Sequence, residues 1–507
     1  YFVHTFFNFI PPEEFRASKP EFFAIRNGER STDPKIGQLC MTNQELRDVM
    51  AQRVIKILKD NPAMDFIAIS PMDNDGYCQC PECTALIEEE GSPSGPLIHF
   101  VNDIAAKVAN SCPDAVIVTT AYRYSLVPPQ KVKPAQNVRI QIAFNNRIAS
   151  YPFFFVRETR DMEILNLWSK ISDQILVWDY TINFRHYLMP RADLPVLGEN
   201  IKLYRDRNVS GVLMQANRHN EIGTQADMRA WVCAKLLWNP DLSVEALAND
   251  YICGFWGTDL APSMLKYNAL LIDEWRQFHA NNKPGAPFKF SKDFYGKATL
   301  LLKEAANAAQ AKPEFLEQLE LEELTLDHYR LAEGLTNDND IAVYQLLLKK
   351  FSDTVKKHDI QLLGEGNETQ RQIAQYEDTI RLAEYTKTVP RDHIILPATW
   401  NVYITQGLMK DNESLVGRAM RQNADGRWNV QWRFEDFTRL IPGKYEVRIR
   451  ARADKITNAG VGANVGIYNG SKSSVVFEYS IQANELDEKK YTWIDCGAFE
   501  IVPETMY

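Results

Sequence analysis

The stretch FIAISPMDNDGYCQCPEC, Phe66–Cys83, runs a short apolar segment into two acids one residue apart and then three cysteines within six residues. Its first part, Phe66–Pro71, reads as a strand buried on both faces, the kind found where helices cover a parallel sheet. Similar runs recur at Phe2–Phe9, Ala115–Tyr122, Val138–Phe144, Ile175–Tyr180 and Gly211–Gln215. Helical spacing fills the gaps between them. Within Gln44–Lys59 the stripe is Leu46, Val49, Met50, Ile57 and Leu58; within Pro96–Asn110 it is Leu97, Val101, Ile104 and Val108, with Ser94 as a cap. Arg160–Ser172, Pro195–Asp206 and Trp231–Trp238 supply further helices.

This alternation predicts an α/β fold over residues 1–240. Six βα units are two short of an eight-stranded barrel, and the chain opens inside an apparent strand. The expected architecture is therefore a (β/α)8 TIM-type barrel lacking its first strands in this chain. An open doubly wound sheet is the alternative, but it calls for a glycine-rich phosphate loop after a strand, and neither GxGxxG nor GxxxxGK[ST] occurs.

Residues 241–392 carry apolar positions at three- and four-residue spacing and predict a helical module packed on the barrel. Residues 393–507 change to a two-residue alternation broken by turn formers such as Pro442-Gly443, which predicts a β-sandwich. Trp400, Trp428, Trp432 and Trp493 fall in that alternation, where core packing accounts for most of them and a sugar platform is the rival role.

The chain of 507 residues has 45% hydrophobic and 24% charged residues, an ordinary balance for a globular protein. Its net charge of −9, without a Lys/Arg-rich run, argues against nucleic acid as a partner. No window approaches the ~20 apolar residues of a membrane span. The absence of an initiator Met and a signal peptide reads as a fragment or a processed product.

In a parallel barrel, residues just beyond the strand ends meet the substrate. Here those positions collect His4; Asp73 and Asp75; Tyr122 and Arg123; Asn145, Asn146 and Arg147; Trp178, Asp179 and Tyr180; and Gln215, Asn217, His219 and Glu221. Acids, amides and aromatics at one rim suit glycoside chemistry, which needs a proton-donating carboxyl and an ionised partner. The competing reading is that polar groups at strand ends cap helices or shape turns. CQCPEC is the most compact ligand-like pattern. Cys78, Cys80 and Cys83, with Cys40 as a fourth, can hold Zn²⁺, form disulfides or remain free thiols. An all-sulfur site leaves no open coordination position, so a zinc there would brace the Asp73–Asp75 loop. Cys112, Cys233, Cys253 and Cys496 read as core thiols, and His99 as structural.

The motifs HTFFNFIPPEEF, KPEFFAIRNGER, QLCMTNQELRD, SPMDNDGYCQCPEC, GPLIHFVNDIA and AKLLWNPD occur in this order over roughly residues 1–255. In them the chain resembles the domain-of-unknown-function family 4838, found in polysaccharide-degrading loci of bacteria. The resemblance implies a barrel similar in layout to α-glucuronidases and β-hexosaminidases, and a periplasmic or secreted, cell-surface location. It also implies paired acids after the fourth barrel strand. With two strands upstream, Phe66–Pro71 takes that place and Asp73 and Asp75 become the pair, although Asn74 separates acids that are adjacent in those relatives.

The expected function is that of a glycoside hydrolase acting on a complex polysaccharide or glycan by carboxylate acid/base catalysis. Asp75 is the general acid, and Asp73, Asp179 or Glu221 its partner. His4, Tyr122, Arg123, Trp178, His186 and Asn217 shape the sugar site. Catalysis requires no cofactor, and the cysteine cluster is a structural zinc candidate. The rivals are a non-catalytic glycan-binding protein on the same barrel and a zinc-dependent hydrolase centred on the cysteines.

Overall fold

The computed structural model describes residues 2–64, 66–144, 160–183, 186–190, 194–217, 222–281, 290–310, 312–335 and 341–385. Beyond these it describes 400–404, 408–410, 418–420, 430–434, 443–453, 460–469 and 474–501.

The chain opens on two single-turn helices, α1 (Phe6–Phe9) and α2 (Pro12–Phe15), and a small hairpin of β1 (Ile25–Arg26) and β2 (Glu29–Arg30). The strand expected at Phe2–Phe9 is therefore not there. A short apolar run has no period that separates a strand from a buried helical turn. Here His4, at φ +53°, turns the backbone out of extension. Thr5 then ties the segment to the chain at residues 68–70: its hydroxyl donates to the Ala68 carbonyl at 2.7 Å and accepts from the Ser70 N–H at 3.0 Å.

Helix α3 (Gln44–Asp60) starts where the Asn43 side chain accepts from the Leu46 N–H at 2.9 Å. Its buried stripe is Leu46, Met50, Val54 and Leu58, a strict four-residue repeat, while Val49 and Ile57 are only half-buried. Then come β3 (Phe66–Ala68), α4 (Pro81–Glu90), α5 (Ser94–Ala109), β4 (Val116–Ala121), β5 (Val138–Ala143), α6 (Arg160–Ser169), β6 (Ile175–Tyr180), α7 (Leu194–Arg205), β7 (Val209–Gln215) and α8 (Ala226–Trp238). Ser94 is the first residue of α5 and not its cap; its hydroxyl goes to the Val127 carbonyl at 2.6 Å.

Strands β3 to β7 form one parallel sheet in sequence order, curled as a half-barrel. Among the described residues the sheet has five strands, one fewer than the sequence suggested, because Phe2–Phe9 does not contribute. The link from β4 to β5 carries only a single 3-10 turn, Arg123–Ser125, pinned by Trp168 Nε1–H donating to the Leu126 carbonyl at 2.8 Å. Ile67, Ile117, Ile140, Ile142, Ile175 and Val177 meet Phe6, Phe100, Leu165 and Trp168 in one continuous core.

Among the described residues five helices follow: α9 (Val244–Asn281), broken at Gly257 (φ +70°), α10 (Phe294–Ala308), α11 (Pro313–Ala332), α12 (Ile341–Lys357) and, after the hairpin of β8 (Leu362–Gly364) and β9 (Asn367–Glu368), α13 (Thr369–Tyr385). Leu197, Val232 and Leu236 of α7 and α8 share a core with Ile252, Met264, Leu302 and Leu326. Tyr180, Ile182, Tyr187 and Leu188 share another with Leu331, Tyr344, Phe351 and Tyr376. Cys253 is exposed, contrary to its expected place in the core, since Ile252 and Trp256 take the buried face of α9.

The remaining strands are β10 (Trp400–Ile404), β11 (Leu408–Lys410), β12 (Arg418–Met420), β13 (Val430–Phe434), β14 (Gly443–Ala451), β15 (Val461–Asn469), β16 (Ser474–Gln482) and β17 (Thr492–Ile501). They pair antiparallel as β10–β13, β11–β12, β14–β17 and β15–β16. Ile481, Ile494 and Cys496 form an apolar cluster with Val447, Ile449, Val465 and Phe477 between the last two pairs, and Trp493 is exposed. No helix among the described residues is long and apolar enough to cross a membrane.

Candidate functional site at the strand ends

The loop after β3 is held by an amide lock. Gln38 Nε2–H donates to the Met72 carbonyl at 2.8 Å and to Asn74 Oδ1 at 3.0 Å, while Gln38 Oε1 accepts from the Met72 N–H at 2.9 Å. Asn74, 5% exposed, donates in turn to the Pro34 and Gly37 carbonyls at 3.1 and 3.0 Å and accepts from the Gly76 N–H at 2.9 Å. With Asn74 turned inward, Asp73 and Asp75 on either side are turned outward; their side chains are 54% and 55% exposed. The residue that separates the two acids is thus the one that aims them.

Both acids meet Arg123. Its Nε–H donates to Asp73 Oδ1 at 2.8 Å and its Nη1–H to Asp75 Oδ2 at 3.2 Å. Arg123 has φ +50°, a left-handed conformation that costs a side-chain-bearing residue about 1 kcal/mol and turns it back across the strand end. Its guanidinium carbon lies 5.6 Å from the Tyr122 ring centroid.

Aromatic rings continue the rim. His4 Nδ1 is 2.8 Å from the Pro71 carbonyl, and its ring lies 6.1 Å from that of Tyr122. Trp178 lies 5.4 Å from Phe2 and 6.4 Å from Tyr180, and its Nε1–H donates to Gln215 Oε1 at 2.8 Å. Burial, followed by the charge of Asp73, raises the Tyr122 hydroxyl above its ordinary pKa. Burial, followed by the charges of Tyr122, Glu365 and Asp73, does the same for Tyr180. Both hydroxyls stay protonated at neutral pH.

The expected site residues divide accordingly. His4, Asp73, Asp75, Tyr122, Arg123 and Trp178 come together at the rim. Asp179 does not join them: it is fully buried, its Oδ2 accepting from the Tyr204 hydroxyl of α7 at 2.6 Å and its Oδ1 from the Tyr180 N–H at 2.8 Å. Neighbouring residues on a strand face opposite ways, so Trp178 and Tyr180 cannot share a side with Asp179. His186 is also buried, its ring 6.0 Å from that of His328 on α11. Asn217, just after β7, donates its Nδ2–H to the Ile222 carbonyl at 3.2 Å. Glu221, with Asn145, Asn146, Arg147 and His219, lies outside the described residues.

One acid within electrostatic range of Tyr180 gives no sequence signal. Glu365 sits on the exposed turn between β8 and β9, near enough to Tyr180 for its charge to act on the hydroxyl. The hairpin is brought there by the Tyr187 N–H donating to the Leu363 carbonyl at 2.7 Å. At the opposite end of the sheet, before β5 and β6, Gln136, Val138, Ser172, Asp173 and Gln174 line a depression of about 300 Å³.

Behind the rim loop, Cys40, Cys78, Cys80 and Cys83 are all buried, with every pair of Sγ atoms within 4.8 Å. Cys80 and Pro81 open α4 in a turn that brings Cys83 back, its N–H donating to Cys80 Sγ at 3.5 Å.

Among solved structures, the chain is 11% identical to a family 89 glycoside hydrolase from Clostridium perfringens in complex with PUGNAc, with a TM-score of 0.39 over 68% of this chain and 42% of that one. The complex with 2-acetamido-1,2-dideoxynojirmycin from the same organism gives 12% identity and a TM-score of 0.39 over 70% and 41%. BtGH115A, a family GH115 4-O-methyl-α-glucuronidase with specificity for decorated arabinogalactans, is 12% identical with a TM-score of 0.42 over 92% of this chain and 64% of that one. The chain thus spans about two fifths of the length of the first two. No curated protein matches it. The model of the family described as "Domain of unknown function (DUF4838)" matches residues 1–269, more than half of the chain, and the protein belongs to that family.

Proposed function

We propose that the protein is a glycoside hydrolase acting on a complex polysaccharide or glycan, with substrate bound across the rim formed by Asp73, Asp75, Arg123, His4, Tyr122 and Trp178. The observation that carries this reading is the paired presentation of Asp73 and Asp75 by the buried Asn74, within a rim of aromatic rings. Trp178 and Tyr122 offer flat faces to sugar rings, and Arg123 and the Tyr122 hydroxyl donate to sugar oxygens. Asp75 is the general acid and Asp73 the ionised partner; Glu365 is a further carboxylate at the same mouth. Asp179 has no part in the chemistry.

On this reading the five-stranded sheet is a portion of a (β/α)8 barrel, the C-terminal strands make a β-sandwich, and the protein works in the periplasm or at the bacterial cell surface. The experiment is glycan hydrolysis by the purified chain on a panel of plant and host polysaccharides, read as reducing ends, with Asp75→Asn beside the parent. Turnover by the parent, abolished by Asp75→Asn with binding retained, supports the hydrolase. The single guanidinium shared by both acids favours a second reading, a glycan-binding protein without catalysis. In that case the parent binds a glycan, releases no reducing ends, and Asp75→Asn leaves binding within about twofold, as expected for the loss of one exposed charge contact.

A further inference from the structure

The four buried cysteines lie on two segments far apart in sequence, Cys40 before α3 and the other three at the start of α4. Cys40 Sγ is 3.7 Å from Cys80 Sγ. A disulfide requires about 2.05 Å. A tetrahedral zinc with Zn–S bonds of about 2.3 Å sets its sulfurs about 3.8 Å apart. The observed spacing is that of a tetrahedron edge. All four sulfurs lie within 4.8 Å of one another, close enough to converge on one metal ion.

The surroundings suit thiolates. The Ile25 N–H donates to Cys78 Sγ at 3.4 Å and the Cys83 N–H to Cys80 Sγ at 3.5 Å. The Thr42 hydroxyl reaches Cys83 Sγ at 3.2 Å, and Arg47, held by Nε–H to the Met41 carbonyl at 2.9 Å, lies within electrostatic range of Cys83 and Cys40. Backbone and side-chain donors of this kind offset the negative charge of a metal–thiolate centre.

We propose that Cys40, Cys78, Cys80 and Cys83 bind one Zn²⁺ as a closed tetrathiolate site that fastens the Asp73–Asp75 loop to the segment entering α3. Binding exchanges four thiol protons, released to solvent, for the metal, with no change of oxidation state. The ion is structural, because four sulfurs leave no position for water or substrate. The neighbouring amide lock then works against a fixed wall: Gln38 is two residues from Cys40, and Asn74 four residues from Cys78. This inference does not depend on the glycan reading.

The test uses the intact chain as purified. Elemental analysis should give about one zinc per chain, falling below a tenth of that in Cys80→Ser and unchanged in Cys496→Ser, which lies in the distant C-terminal strands. Since Cys80→Ser can fail to fold, the parent is also denatured in chelator without reductant and alkylated. Labelling of all eight cysteines, together with one zinc per native chain, supports the site. Only four labelled cysteines would mean a disulfide pair of bonds and overturn it, and so would eight labels on a chain purified without zinc or with iron in its place. Cobalt substitution gives a further reading: intense sulfur-to-cobalt absorption that disappears in Cys40→Ser supports four-sulfur ligation, and its absence refutes it.

Discussion

Arg123 reaches across from the end of β4 and places its Nε 2.8 Å from Asp73 Oδ1, which joins two strand ends fifty residues apart through one charged hydrogen bond. The same guanidinium also holds Asp75. Two carboxylates that would repel one another are thereby kept as a pair at an open surface.

Replacing Arg123 by Gln should separate function from stability. The ion pairs are largely exposed, so the unfolding free energy should change by less than about 1 kcal/mol. Glycan affinity or turnover should fall by about tenfold or more, since hydrogen bonds from a charged donor contribute about 1.5–3 kcal/mol. Isothermal titration and urea melts on the same preparation measure both.

Asn74 should behave in the opposite way. Asn74→Ala removes two donated and two accepted hydrogen bonds in a buried loop, and a cost of about 2–4 kcal/mol is expected from the unsatisfied groups. Gly76→Ala should be comparably disruptive, because a Cβ there would sit 2.0 Å from the Ile36 carbonyl oxygen. Thermal unfolding of both variants checks this.

Tyr204→Phe deprives the buried Asp179 carboxylate of a 2.6 Å hydrogen bond. A loss of about 1.5–3 kcal/mol should follow, with glycan binding at the rim preserved. Equal loss of binding and stability would mean that Asp179 acts at the site after all.

Glu322, buried on α11, accepts from the Gln225 N–H at 2.6 Å at the start of α8. Burial raises its carboxyl to about 7 from an ordinary 4.5. A raised pKa means the folded chain holds the proton more tightly than the unfolded one. The stabilisation is complete below pH 4.5 and is lost as pH rises through about 7. The shift corresponds to about 3 kcal/mol. Urea melts between pH 4.5 and 8 should show this decline in the parent and a flatter profile in Glu322→Gln, whose amide does not ionise.

Much of the scaffold was legible in the residues. The runs at Val138–Phe144 and Ile175–Tyr180 are strands within one residue of their expected ends, since each is rich in apolar and β-branched residues. Leu97, Val101, Ile104 and Val108 form a buried stripe because only one helical register puts all four on one side. The strand expected at Phe2–Phe9 is a helical turn at Phe6–Phe9, because four residues are too few for a period to tell a strand from a buried turn.

The sequence by itself marked most of the sheet strands and many of the helices and supplied the cysteines and rim acids, because local periodicity and residue chemistry are written along the chain. Only the tertiary structure decided which of those residues share a space. Strand β6 is apolar on both faces, so nothing local says that Trp178 looks toward the rim while Asp179 looks toward Tyr204. The lock of Asn74 with Gln38, the reach of Arg123 to both acids, the burial of His186 against His328 and the arrival of Glu365 all join residues tens to hundreds of positions apart. Such contacts follow from how the layers pack, and packing is settled by the summed burial of the whole chain.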